Sequence, residues 1–162
     1  IMSFKKELLD ENGRITINKF DDKYFNNFDK EYTSENIKNI CFLDLETTGL
    51  SKEDKIVEIA IKLVEIEKES GILLRVIDFY ESFNDPGFKM DSKNIAIHGI
   101  TDAMVSKQSI DWNKVKDIFE KSDIIVAHNA RFDRSFMDMY FPLSEEKLWA
   151  CSMNDIDWIS LG

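Results

Sequence analysis

The sequence is poor in several things, and each shortage narrows the reading. It holds two cysteines in 162 residues, too few for the disulfide framework that staples small secreted domains. Cys41 and Cys151 each sit in an apolar run and read as buried free thiols of a reducing compartment. Two prolines and six glycines are scattered along the chain, with no repeat and no low-complexity segment. No apolar run approaches the roughly 20 residues that cross a bilayer, and Ile1-Met2-Ser3-Phe4-Lys5-Lys6 lacks the pattern of a secretory leader. The expectation is a cytoplasmic protein with no membrane partner. Basic residues are also scarce: 21 stand against 31 acidic ones, for a formal charge of −10. That balance excludes the broad basic face of a protein that grips duplex DNA by phosphate neutralisation alone. It leaves open a nucleic-acid enzyme whose bound cations meet the phosphates, and equally an acidity that serves only solubility.

What remains suits one domain with a short appendage. Hydrophobic residues make up 43% and aromatic residues 12%, so the composition is not that of a disordered chain. Residues 1–39 carry 7 basic and 8 acidic side chains and no sustained apolar period. We read them as an N-terminal extension, with an Asn12-Gly13 turn, a short strand at Ile15-Thr16-Ile17 and an amphipathic stretch through Phe20, Tyr24, Phe25 and Phe28. Residues 40–162 carry 14 basic and 23 acidic side chains and form the domain proper.

From Ile40 the pattern is regular. Ile40-Cys41-Phe42-Leu43 leads into Asp44-Leu45-Glu46, a central buried strand broken by Thr47-Thr48-Gly49. Val57, Ile59, Ile61 and Leu63 share one face at period two, and residues 73–83 are β-prone again. The two form an antiparallel hairpin beside the first strand. Short helices follow around His98-Gly99, then a better one over 111–121. A short strand over 123–127 runs through His128-Asn129, with Asn129 as an N-cap, into a helix from Ala130 to about Tyr140. Leu148 to Cys151 is a last short strand, and Ser152-Met153-Asn154-Asp155 resembles a capping box opening a helix through Ile156 and Ile159. Three strands, helices, strand, helix, strand, helix describe an α/β mixed five-stranded sheet flanked by helices. Trp112, Trp149 and Trp158 read as core or interface anchors.

Asp44 and Glu46 are the unusual feature. Two apart on a strand, they project from one face while Leu43 and Leu45 take the other. Paired carboxylates at the end of a buried strand repel each other and lose hydration. A divalent ion removes that cost, and oxygen-only ligands point to Mg²⁺ or Mn²⁺. A solvated strand end is the plainer alternative. A second group, His128-Asn129-Ala130-Arg131-Phe132-Asp133, lies at a strand-to-helix junction with Asp133 on the edge of the helix's apolar stripe. If the strands over 41–46 and 123–127 are parallel neighbours, their carboxyl ends bring Asp133 toward Asp44 and Glu46. Alternatively, Asp133 only favours its helix N-terminus. Arg131 and Arg134 flank Asp133 and are candidates for substrate phosphates.

Phe42-Leu43-Asp44-Leu45-Glu46-Thr47-Thr48-Gly49 resembles the first motif of the DEDD exonucleases, and His128-Asn129-Ala130-Arg131-Phe132-Asp133 the second. Ile97-His98-Gly99-Ile100-Thr101 is similar to a segment of the proofreading branch, the DNA polymerase III epsilon-like group. The resemblance covers about Ile40 to Gly162. It implies an RNase H-like fold and removal of nucleotides from 3′ ends as 5′-mononucleotides, with two Mg²⁺ or Mn²⁺ ions held by four carboxylates. Asp44, Glu46 and Asp133 match three of the four. Thr47, Thr48 and Gly49 would lie against the terminal nucleotide, with Leu50 as a wedge against the last base. His98 matches a position near that nucleotide's phosphate or sugar, though a helix-cap role would also account for it. Asn129 would position the strand.

The third motif, a general-base histidine with a carboxylate five residues later, has no match: no histidine follows His128, and Asp155 and Asp157 fall too early. The domain is therefore expected to be incomplete at its C-terminal end, holding one metal ion or none, with weak hydrolysis or none. The implied partners are single-stranded DNA or frayed 3′ ends, RNA being an alternative, and a polymerase or repair complex. A catalytically silent RNase H-like binding or scaffold module, and an exoribonuclease of the same fold, are the competing readings.

Overall fold

The computed structural model describes residues 34–161, with the side chains of Trp158 and Leu161 outside that description. The proposed extension's turn, strand and aromatic stripe fall outside the described residues. A single 3₁₀ turn over Ser34–Asn36 leads into β1 (Ile37–Thr47), followed by β2 (Ile56–Glu67) and β3 (Leu73–Phe83). Next come α1 (Ser92–His98), α2 (Asp102–Val105), α3 (Trp112–Lys121), β4 (Ile124–Ala127), α4 (Ala130–Tyr140), α5 (Leu143–Glu146), β5 (Leu148–Cys151) and α6 (Trp158–Leu161). No helix among these is long and apolar enough to cross a membrane.

The five strands lie in the order β3-β2-β1-β4-β5. The hairpin pairs are antiparallel, and β4 runs parallel to both β1 and β5. β1 has a neighbour on each edge but helices on one face only, so its burial alternates instead of running continuously as expected, with Phe42 and Asp44 exposed between Cys41, Leu43 and Leu45. It begins at Ile37, three residues ahead of the expected start. Asp123 anchors that end: its carboxylate accepts the Asn39 amide at 2.8 Å, and Lys38 pairs with it at 3.2 Å.

The odd-numbered residues Cys41, Leu43 and Leu45 face the core with Ile59, Ile61, Leu63 and Ile125. Val115, Ile118 and Phe119 of α3 and Phe136 and Met137 of α4 cover them. Each such side chain contributes about 1.5–3 kcal/mol when removed from water. Trp112 stacks on Tyr140 at 6.0 Å and on Phe141 at 5.8 Å, while Phe119 meets Phe141 edge-on. Trp112 and Trp149 pack against this core as expected. The even-numbered face is different. Among the described residues nothing covers Phe42, Phe79 or Leu148, which stay 48%, 65% and 70% exposed.

A smaller cluster of Val57, Met90, Ile100 and Val105 carries the segment around His98. Asp91 caps α1 by accepting the Lys93 amide, and Gly99 ends it at φ 77°, a left-handed stop that glycine adopts without penalty. Three local expectations are corrected. Residues 152–156 form turns rather than a capping box, and the helix starts only at Trp158. Asp155 instead turns back to accept the Cys151 amide at 2.7 Å. Cys41 is buried, but Cys151 is only half-buried.

Candidate functional site: carboxylates at the strand ends

The two sequence-distant acidic segments meet because β1 and β4 are parallel neighbours, with Ile40 opposite Ile124 and Phe42 opposite Val126. Beyond Ala127 the chain turns through His128 and Asn129 into α4. Asn129 occupies the N-cap position with φ 67° and ψ 49° and no side-chain cap bond. The correction is one of role: asparagine tolerates the left-handed backbone that the reversal demands, and its amide group is left unused. The first turn of α4 then delivers Asp133 against β1.

Asp133 is 2% exposed. Its carboxyl lies near its own amide and that of Leu45, the residue between Asp44 and Glu46, and both favour the ionised form. Burial pushes it up to about 7, the charge of Asp44 adds to the rise, the two amides oppose it, and Glu46 raises it further. Glu46 is raised by desolvation and then by Asp44, against the charge of His98. Asp44 is raised by desolvation, with His128 opposing. Asp133 therefore feels the charges of Asp44 and Glu46, and Glu46 that of Asp44.

A fourth acid belongs to this neighbourhood and escaped the sequence reading. Glu58 stands directly opposite Glu46 in the antiparallel register, and it is raised by desolvation and by Glu81, Glu46 and Asp44 in turn. The signal was available. With Val57 and Ile59 turned into the core, Glu58 had to share the face of Asp44 and Glu46.

The loop after β1 is a tightly bonded unit. Thr47 and Thr48 are buried, and their hydroxyls serve the loop itself. Thr47 donates to the Gly49 carbonyl at 2.6 Å, and Thr48 donates to Asp54 at 2.9 Å while accepting the Lys55 amide. Asp54 also accepts the Ser51 amide and hydroxyl. Asn94 of α1 donates its side-chain amide to the Thr48 carbonyl, tying the His98 segment to this loop. Gly49 has a local reason to be glycine: an added Cβ would lie 2.6 Å from both carboxylate oxygens of Asp54. Leu50 stands out at 86% exposure.

His98 serves its own turn and keeps something in reserve. Nδ1 accepts the Ile100 amide at 3.0 Å, which places the ring proton on Nε2. That Nε2 is buried and has no partner, although its ring is close enough to influence Glu46. Arg134, a candidate phosphate contact, is instead paired with Asp138 at 3.4 Å.

The family model described as an exonuclease (RNase_T) matches residues 41–155. The chain belongs to the exonuclease family. Among curated proteins, the DNA polymerase III PolC-type of Listeria welshimeri is 39% identical over 101 residues, covering 60% of this chain and 6% of that protein. The Bacillus subtilis counterpart is 33% identical over 100 residues, with the same coverage. The exonuclease chain thus spans about 6% of the length of these relatives. Among solved structures, Exonuclease X in complex with 5′ overhanging duplex DNA superposes with a TM-score of 0.50 at 28% identity, covering 70% of this chain and 60% of that one. The metal-free Exonuclease I–single-stranded DNA complex from E. coli gives a TM-score of 0.55 at 17% identity, covering 72% and 28%; that likeness shows the fold alone. The mixed five-stranded sheet flanked by helices is the RNase H-like exonuclease architecture expected from the motifs.

Proposed function

We propose that this chain is a metal-dependent 3′→5′ exonuclease domain that acts on DNA ends and releases 5′-mononucleotides. The observation that carries it is the burial of the Asp133 carboxylate against the end of β1 that bears Asp44 and Glu46, brought there by the parallel pairing of β1 and β4, with all three acids raised. The donor set suits a hard divalent cation: it is oxygen-only, with Asp133 buried, Glu46 half-buried and Asp44 open to solvent. Among the described residues no three such side chains already surround a single point, so taking up an ion includes a rearrangement of these side chains. Mg²⁺ or Mn²⁺, two in the complete domain, would be held by Asp44, Glu46 and Asp133. Bound there, they would stabilise the attacking and leaving oxygens of an in-line displacement.

The chain's own residues supply the positioning. The unused Nε2–H of His98 is a buried donor suited to an oxygen of the terminal nucleotide. Leu50 presents apolar surface to the last base, and Thr47, Thr48 and Gly49 fix the loop that carries it. The unspent side-chain amide of Asn129 can bond the strand. DNA is preferred over RNA because the curated relatives are DNA polymerases and Exonuclease X is seen with DNA. Those relatives also suggest a polymerase as a partner, with a cytoplasmic location. The expected boundary at residue 39 moves back, because Ile37–Asn39 belong to β1, and we keep residues 1–36 as an appendage to the exonuclease domain.

A second reading rests on one specific observation. His98 and His128 are the two histidines of the sequence, neither stands where the third motif requires one, and the carboxylates do not yet converge. This polypeptide would then bind 3′ ends and cut slowly or not at all. Two measurements decide. Mg²⁺ or Mn²⁺ should raise the melting temperature, and Asp44→Ala should abolish that rise. A labelled single strand with a free 3′ end should shorten from that end, while a 3′-blocked strand stays intact. No thermal shift and no binding of either strand would refute both readings. Binding without shortening selects the second.

A further inference from the structure

Beside the carboxylates lies a cleft of about 350 Å³, walled by Leu50, Ser51 and Lys52 on one side and by Arg131, Phe132 and Met139 on the other. Its size falls in the range of small-ligand sites. The two walls are the continuations of the segments that carry the acids. Leu50 to Lys52 follow the motif of Asp44 and Glu46, and Arg131 and Phe132 immediately precede Asp133. Around α4, at about 100° per residue, Phe132 sits next to Asp133, and Ser135, Phe136 and Met139 continue the same flank. The cleft therefore lies on the flank of α4 next to the one that carries Asp133, with no carboxylate in its own lining.

Its charge is opposite to that of its surroundings. In a chain of net −10, Lys52 and Arg131 face the cleft from opposite walls, and neither has a carboxylate partner among the described residues. The neighbouring Arg134 shows the alternative, being spent on Asp138. The rest of the lining mixes apolar side chains, Leu50 and Met139 at 86% and 44% exposure, with the polar Ser51, Asn129 and Ser135. Two cations and exposed apolar side chains in one cleft match a single-stranded polynucleotide, which offers both phosphates and unpaired base faces. A duplex offers no free base faces to such a lining.

We propose that this cleft holds the single strand upstream of the reacting 3′ end, with Lys52 and Arg131 clamping successive backbone phosphates. The inference rests on the exonuclease reading and adds to it the part of the substrate beyond the terminal nucleotide.

The test uses the full chain in Mg²⁺, with a fluorescent ten-nucleotide strand of thymidylates whose phosphorothioate linkages resist cleavage. Binding is read by anisotropy across a salt series, and thymidine monophosphate binding is read by thermal shift. For Lys52→Gln combined with Arg131→Gln, strand affinity at low salt should fall on the order of tenfold. The slope of log affinity against log salt should flatten by about 1.4, the release expected for two single-strand phosphates. Monophosphate binding should stay as in the parent, and Lys52→Arg with Arg131→Lys should restore the slope. An unchanged slope and affinity for the double variant overturns this inference and leaves the exonuclease reading standing. An equal loss of strand and monophosphate binding also overturns it, because the cleft would then not be specific to the upstream strand. A parent chain that binds neither ligand removes both the inference and the reading beneath it.

Discussion

Asp133→Asn isolates the electrostatic cost of the site. In the metal-free chain the Asp133 carboxyl is pushed from an ordinary 3.8 to about 7. Each pH unit of displacement corresponds to about 1.4 kcal/mol, so this one group costs roughly 4 kcal/mol when fully ionised. The sign follows from the order of titration. Below pH 3.8 both folded and unfolded forms hold the proton and the term is zero. As pH rises, the unfolded carboxyl ionises first, and folding loses stability until the folded carboxyl also ionises near 7. Above that the loss is constant. Asparagine keeps the size of the side chain and an acceptor oxygen but cannot ionise. Urea melts in EDTA from pH 4 to 8 should therefore show the variant gaining steadily on the parent. At a typical urea dependence of about 2 kcal/mol/M, the midpoint difference grows by about 2 M. Adding Mg²⁺ should reverse the ranking, because cation binding favours the ionised acid. A pH-independent difference between parent and variant would show that Asp133 does not ionise at a cost in the folded chain, and the electrostatic account of the site would fail.

Glu58→Gln should raise metal-free stability, because it removes a like charge opposite Glu46. It should also shrink the Mg²⁺-induced thermal shift, and an unchanged shift would place Glu58 outside the ion's field. Gly49→Ala would drive a methyl into Asp54 and break the bonds that close residues 48–54. Thermal melts should show a loss of about 1–3 kcal/mol, and strand binding should weaken in the same variant. Phe119→Ala, in a side chain with no exposure, should cost about 3–5 kcal/mol by urea denaturation without moving the pH dependence assigned to Asp133. The thiols should separate. Burial pushes Cys41 up to about 12. Desolvation also raises Cys151, but the amides of Ala130, Asn154, Met153 and Asn129 outweigh it and leave that thiol lowered. A thiol reagent at pH 8 should therefore modify one cysteine in the native chain and the second only after unfolding; simultaneous reaction would contradict the difference in environment.

What could be read in advance depended on whether a signal was local. Asp44 and Glu46 declare themselves because a strand's period of two separates them from Leu43 and Leu45 within five residues. Asp133 declares itself because the 3.6-residue period of α4 puts it beside the buried stripe of Phe136 and Met137. Their meeting was legible only conditionally, since it required β1 and β4 to be parallel neighbours. Glu58 needed one step more. Its face follows from alternation, but its position opposite Glu46 depends on the hairpin register, and bulges shift that register at Glu46/Thr47 and within the β2–β3 pairing. The glycine at 49 was open to a ligand-based explanation because the carboxylate beneath it belongs to Asp54, five residues on, and arrives only when the loop closes. The two threonines illustrate the same limit. Their hydroxyls could equally have faced a nucleotide, and only the closed loop shows them bonded to Gly49 and Asp54. On the proposed exonuclease reading these threonines serve substrate only through the loop they hold, so a threonine-to-serine exchange, which keeps the hydroxyl, should preserve strand binding where valine, which keeps the shape, should not.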